Sequence, residues 1–262
     1  MSAPTIRFDD GAAYERMMGK WSGLIGAAFL DWLSPPLQLR WVDIGCGNGA
    51  FTQLLVERCA PSAVEGVDPS EGQLAFARER LASTVAKFRQ GDAMTLPIAD
   101  GSFDAAVMAL VVFFIPDPAK GVAEMARVVR PGGFAAAYAW DIVNGGGPSE
   151  TIINEMRQMG LTPLRAPRAE ASTPEGLHAL WTSAGFADIE ASVVRSRRTF
   201  DDFEDYWSTT IAAPNLAPVR ATMTSSDVAL LKARVREHVD IETSGRVSIE
   251  ARANAIVGRK PG

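Results

Sequence analysis

The chain has 262 residues, 47% hydrophobic and 22% charged, which is the balance of a globular protein with ample apolar material for a core. Its formal charge of −5 disfavours a polyanionic partner such as DNA or RNA. The two cysteines, Cys46 and Cys59, form no CxxC pair or disulfide framework, and with two histidines they make no metal-ligand cluster, so reduced thiols, a cytoplasmic location and no metal are expected.

The opening, MSAPTIRFDDGAAYERM, lacks the basic-then-apolar pattern of a secretory signal. Residues 12–33 place Met17, Met18, Trp21, Leu24, Ile25, Ala28, Phe29 and Trp32 at helical spacing, and Pro35-Pro36 ends the run. This predicts helices packed on a sheet edge. WVDIGCGNGAFT (41–52) then reads as strand, glycine turn, helix. In open α/β sheets a ligand sits at such a turn, against the helix N-terminus. The glycine spacing is G-x-G-x-G, not the G-x-G-x-x-G of dinucleotide sites. Asp43, two residues before Gly45, would repel a pyrophosphate and attract an ammonium or sulfonium, or else serves as a turn acceptor near the helix N-terminus. Cys46 is suited to filling tight space beside Gly47, and Asn48 to an unusual backbone angle. A second strand, 63–67, ends at Asp68-Pro69, about twenty residues past the last glycine, where an acid holds ribose hydroxyls. Together these features favour a cationic nucleoside over NAD or FAD.

Ser70 and Gln73 fit a capping box; Gln73 completes that cap or faces the nucleoside. The helix runs to about Leu81, and a short third strand, 87–90, ends at Gly91-Asp92-Ala93. Strand four, 103–110, is apolar almost throughout and therefore buried on both faces. The run 105–115 is too short to span a bilayer. Asp117-Pro118 opens a helix as N-cap and first residue. Arg127 and Arg130 read as solvated helix-end charges, and strand five, 134–140, ends at Trp140-Asp141. Residues 142–174, with Gly145-Gly146-Gly147 as a hinge, form a cap or a plain surface excursion. A helix over 173–184 and a strand over 186–195 follow, and Arg195, Arg197 and Arg198 are expected to pair with the acids at 201–205. Phe203, Tyr206 and Trp207 lie at helical spacing, as core or as lid aromatics. A helix over 227–239 and an alternating strand over 246–257 complete the chain.

Four stretches, VDIGCGNGAFT, VEGVDPSEGQLAFAR, GDAMTLPIADGSFDAAVM and EMARVVRPGG, occur in order across residues 40–140. In them the sequence resembles the class I S-adenosylmethionine (SAM)-dependent methyltransferases, in particular the small-molecule enzymes that include those of quinone biosynthesis. The resemblance implies an α/β fold: a Rossmann-like, seven-stranded, mostly parallel sheet with the last strand antiparallel, helices on both faces and a helical cap. It implies residues 1–36 as a helical segment over the cofactor, 37–141 as the SAM-binding core, 142–174 and 200–243 as cap insertions, and 175–199 with 244–262 as the rest of the core. It places Tyr14 and Met18 over the cofactor, Asp43, Gly45, Cys46, Gly47 and Asn48 at the first loop, and Asp68, Pro69 and Gln73 at the second. Asp92 falls on the adenine amine with Gly91 and Ala93 beside it, and Ala109 and Leu110 lie over the donor methyl.

Methyl transfer from a sulfonium needs alignment more than acid–base help. No histidine falls in a predicted pocket loop; Tyr14 and Asp141 are the titratable candidates for catalysis. Tyr14, Trp21 and Trp140 offer ring faces to a cationic centre. Trp21, Phe113, Trp140 and Tyr206 are the candidates for an acceptor pocket, and the apolar stretch Ala109–Phe114 points to a small, largely apolar acceptor. The expected reaction is in-line transfer of the methyl group from SAM to that acceptor, leaving S-adenosylhomocysteine, with no metal, nucleic acid or membrane span involved and the protein a monomer or homodimer. The alternatives are a non-catalytic SAM-binding regulatory protein and, less favoured by the glycine spacing and Asp43, an NAD(P)-dependent oxidoreductase.

Overall fold

The computed structural model describes residues 18–262. Strand β1 (Arg40–Ile44) is buried from Trp41 onward, and it is central because partners cover both its edges. These are β2 (Ala63–Asp68) on one side and β4 (Phe103–Ala109) on the other, both parallel to it. With β3 (Ala86–Gln90), β5 (Val129–Trp140), β6 (Ala187–Phe200) and β7 (Val247–Arg259) they form one seven-stranded sheet in the order β3-β2-β1-β4-β5-β7-β6. Strand β7 runs antiparallel between β5 and β6. The chain leaves β1 toward β2 on one side and returns to β4 on the other. The crevice at the carboxyl ends of β1 and β4 is therefore the switch point at which such sheets bind ligands.

Helices α1 (Lys20–Leu33), α2 (Ala50–Cys59), α3 (Glu71–Arg80), α4 (Pro118–Val128), α5 (Glu150–Gln158), α6 (Pro174–Ser183), α7 (Phe203–Thr210), α8 (Ala217–Arg220) and α9 (Ser225–Glu237) flank the sheet. Their starts follow from side chains that satisfy otherwise unpaired backbone donors. Asp117 accepts from the Lys120 N–H (3.3 Å) and Thr173 from the Gly176 N–H (3.0 Å), each with proline next in line. Ser70 caps α3 by accepting from the Gln73 N–H at 3.4 Å. Its own N–H goes to Asp68 Oδ1, so the box closes on the strand-end acid rather than on Gln73.

Several expectations change. Strand β6 runs five residues past Arg195, because β7 pairs with it all the way to Phe200. Arg195 and Arg197 consequently meet Glu250 across the strands (3.1 and 3.9 Å), not the acids at 201–205. Arg198 turns inward and lies over the Phe200 ring, where the charge of Asp205, one of the expected acids, acts on it. Arg127 is no loose helix-end charge: it bridges Glu124, Asp100 and the carbonyls of Leu96 and Ile98, tying the loop after β3 to α4. Phe203, Tyr206 and Trp207 are buried on α7, with Tyr206 edge-on to Phe200 at 5.3 Å.

Candidate functional site

The turn after β1 is shaped by main chain. Gly45, Gly47 and Gly49 all have positive φ (75°, 53° and 79°). Asn48, expected to take such an angle, does not; the glycines absorb it, and the Asn48 side-chain Oδ1 instead accepts from the Ala50 N–H at 3.3 Å. At Gly45 a Cβ would lie 2.6 Å from both methyls of Val111, so the chain leaving β4 presses directly on the turn. At Gly47 a Cβ would meet nothing within 4 Å: the turn opens there.

Two acids flank that opening. Asp43 is fully buried; its Oδ2 accepts from the Thr52 hydroxyl at 2.6 Å, and its Oδ1 has no hydrogen-bond partner among the described residues. Burial, only partly offset by the Thr52 bond and reinforced by the nearby Asp68 charge, pushes its carboxyl up to about 7. Asp68 closes the second loop: Gly47 N–H donates to its Oδ2 (3.0 Å) and Ser70 N–H to its Oδ1 (2.9 Å). Burial raises the Asp68 carboxyl as well, against those two amides. Both effects push the Cys46 thiol far above its ordinary value, burial first and the two acids after it, so Cys46 is packing rather than a nucleophile. Pro69 and Gln73 follow at the start of α3. Further along the edge, Gly91 follows β3, and Asp92 Oδ1 accepts from the Met94 N–H at 2.8 Å, a turn that also positions Ala93.

A cavity of about 390 Å³ lies beyond the ends of β4 and β5. Its inner wall is apolar, with Leu110, Phe113, Phe114, Trp140 and Ile142, and Met18 joins from the N-terminal side. Leu110 holds φ at +62° directly after Ala109, a sparsely populated backbone state of the kind found where a site dictates geometry. Trp21 does not line the cavity; it stacks edge-on behind Trp140 at 6.2 Å. The Trp140 indole N–H is buried without an acceptor among the described residues. Tyr206 lies in the core of α7, outside the cavity lining, and burial pushes its phenol up to about 12. Tyr14 lies outside the described residues.

Asp141 does not face the cavity. Its Oδ2 accepts from Arg252 Nε (2.9 Å) and its Oδ1 from Asn144 (2.9 Å), while Gly146 N–H donates to its carbonyl (2.7 Å). Gly146 sits so close to Arg252 that a Cβ would approach within 2.6 Å. The glycine run is thereby bolted to β7. The outer wall of the cavity comes from α5 and the segment after it. Arg168 fastens this segment to the end of β4 through the carbonyls of Phe113 and Pro116. Glu155, on the far side of α5, is buried; it binds Arg234 of α9 (2.7 Å) and lies 3.3 Å from Nδ1 of His238, the residue after that helix. This clasp between α5 and α9 is not legible in the sequence, because Glu155 and Arg234 lie 79 residues apart.

Residues 42–137 match the family described as Methyltransferase domain. The matched stretch is 96 of the 262 residues. Over 104 residues the chain is 42% identical to a demethylmenaquinone methyltransferase of Desulfitobacterium hafniense, a match covering 38% of this chain and 41% of that protein. The chain thus spans about two-fifths of the curated relative it matches. The fold is shared with a candidate methyltransferase from Bacillus halodurans (19% identity, 90% of this chain and 99% of that one, TM-score 0.59). It is shared as well with phosphoethanolamine N-methyltransferase 2 of Haemonchus contortus in complex with SAM (20% identity, 95% and 56%, TM-score 0.57). The seven-stranded architecture is the one these methyltransferase structures share. Among the described residues no cluster of His, Cys, Asp or Glu could hold a metal ion, and no helix is long and apolar enough to cross a membrane.

Proposed function

We propose that the protein transfers a methyl group from SAM to a small, largely apolar acceptor. The observation that carries this reading is the contact between Val111 and Gly45. Val111 packs on the cofactor turn, and its neighbours Leu110 and Phe113 line the cavity, so donor and acceptor compartments adjoin along one short segment. The turn fits SAM on its own terms. The unpartnered Asp43 Oδ1 and the open space at Gly47 suit a ligand with an ammonium group, and Asp68 suits vicinal hydroxyls.

When bound, SAM supplies a sulfonium-activated methyl group, whose thioether leaves neutral. The chain's own task is alignment and water exclusion. Asp43 and Asp68 would hold the amino-acid and ribose ends, and Asp92, with Gly91 and Ala93 around it, the adenine. Leu110, Phe113 and Trp140 would press the acceptor toward the donor from an apolar wall. Asp141, paired with Arg252, buttresses the segment over the cavity. The demethylmenaquinone methyltransferase match supports an aromatic or quinol-like acceptor class.

The test is transfer of labelled methyl from SAM to a panel of phenols, amines and quinols. Turnover of at least one acceptor, abolished in Asp43→Asn and Gly47→Ala, is the expected result. SAM binding without turnover of any acceptor favours the non-catalytic binding protein instead.

A further inference from the structure

The acceptor cavity is not apolar all round. Where α5 and the following segment form its outer wall, the lining carries two guanidiniums, Arg157 and Arg165, and one carboxylate, Glu150. The lining itself thus holds one more positive than negative charge, and Glu170, outside the lining, balances it. The two arginines are held differently. Arg157 donates to Glu150 and to Asn154, each at 3.0 Å, and Glu150 is largely buried, so that charge is already neutralised at close range. Arg165 has a looser partner: its guanidinium lies 3.6 Å from Glu170, a carboxylate 78% exposed to solvent. A long, exposed ion pair is worth little and exchanges readily for a better-placed anion. A guanidinium also presents a planar fork matched to a carboxylate.

Resting on the methyl-transfer reading of the adjoining turn, we propose that the acceptor is an apolar molecule bearing a carboxylate. Its body lies against Phe113, Phe114 and Trp140, and its carboxylate takes Arg165 from Glu170. Once Glu170 is displaced, Arg165 offers a single charge to the cavity, which matches a monoanion and favours a carboxylate over a phosphate dianion. Arg165 is therefore the specificity-determining residue of the acceptor side. The apolar inner wall and the charged rim set the acceptor's orientation, with the uncharged end directed toward Leu110 and the cofactor turn.

The test titrates the whole protein, saturated with S-adenosylhomocysteine, with three matched pairs of probes by calorimetry. The pairs are 2-naphthoate and 2-naphthamide, 4-phenylbutyrate and its amide, and dodecanoate and its amide. At least one acid is expected to bind about tenfold more tightly than its amide, with the advantage shrinking as salt rises. In Arg165→Gln that advantage disappears while the amide's affinity holds, and Arg165→Lys restores part of it. Glu170→Gln, which frees the guanidinium, increases it. Equal affinity within every pair, binding of none of the six, or an acid preference that survives Arg165→Gln overturns the proposal. The initial titration with S-adenosylhomocysteine separates the two readings. If that ligand fails to bind while an acid binds through Arg165, the methyl-transfer reading falls and the carboxylate site stands.

Discussion

The turn after β1 and the cavity beyond β4 and β5 touch through Val111, yet they are built from different material. The turn is made of main chain: three glycines at positive φ, an amide donating to Asp68, and one buried acid with an oxygen unpartnered among the described residues. The cavity is made of side chains from well-separated segments, held together by Arg168, the Asp141–Arg252 knot and the Glu155 clasp. A main-chain site tolerates almost no substitution but needs little support from elsewhere. A side-chain site accepts substitution residue by residue and depends on distant struts.

The largest expected effect separates two glycines of the same turn. Gly45→Ala combines a strained φ with a contact of 2.6 Å to branched Val111 methyls and should cost about 2–5 kcal/mol in chemical denaturation. Gly47→Ala faces open space and should cost only about 1–2 kcal/mol, yet weaken S-adenosylhomocysteine binding at least about tenfold by filling the cradle. Equal stability losses in the two variants would mean that Gly47 does not face open space, and unchanged S-adenosylhomocysteine affinity in Gly47→Ala that the opening is not a ligand site.

Asp43→Asn comes next. A carboxyl raised to about 7 by burial is a group whose ionisation opposes folding, so its contribution falls away as pH rises from its ordinary value near 3.8 to about 7. Asp43→Asn should remove that decline and stabilise the ligand-free protein at pH 8 by about 1–3 kcal/mol, while weakening cofactor binding. Thermal unfolding across pH reads both signs. On the cavity side, Glu155→Gln weakens the bonds to Arg234 and His238 and should cost about 1–2 kcal/mol. It should lower turnover while leaving S-adenosylhomocysteine affinity unchanged, which kinetic and calorimetric measurements together reveal. The smallest effect belongs to Arg58→Ala, whose exposed pair with Asp31 lies away from both regions; a loss under about 1 kcal/mol by denaturation is expected.

The same division explains what the sequence disclosed. Gly45, Gly47, Asp43 and Asp68 are legible because their geometry depends on neighbours a few residues away and on one strand pairing. Asn48 misled because three glycines beside it already supplied every unusual angle. The last turn of β6 was hidden because its arginines look like loop until Glu250 is seen opposite them. The polar rim of the cavity was silent altogether: Arg157 and Arg165 acquire meaning only where the fold brings them beside Trp140 and Phe113.

The central claim is that Asp43 makes the glycine turn a site for a cationic nucleoside. Calorimetric titration with S-adenosylhomocysteine and, separately, with NAD, repeated from about pH 5 to pH 8, tests it most directly. The account predicts that S-adenosylhomocysteine binds and NAD does not, that its affinity rises with pH as Asp43 ionises around pH 7, and that Asp43→Asn flattens the rise. Tighter binding of NAD, or an affinity for S-adenosylhomocysteine indifferent both to pH and to Asp43→Asn, would contradict it.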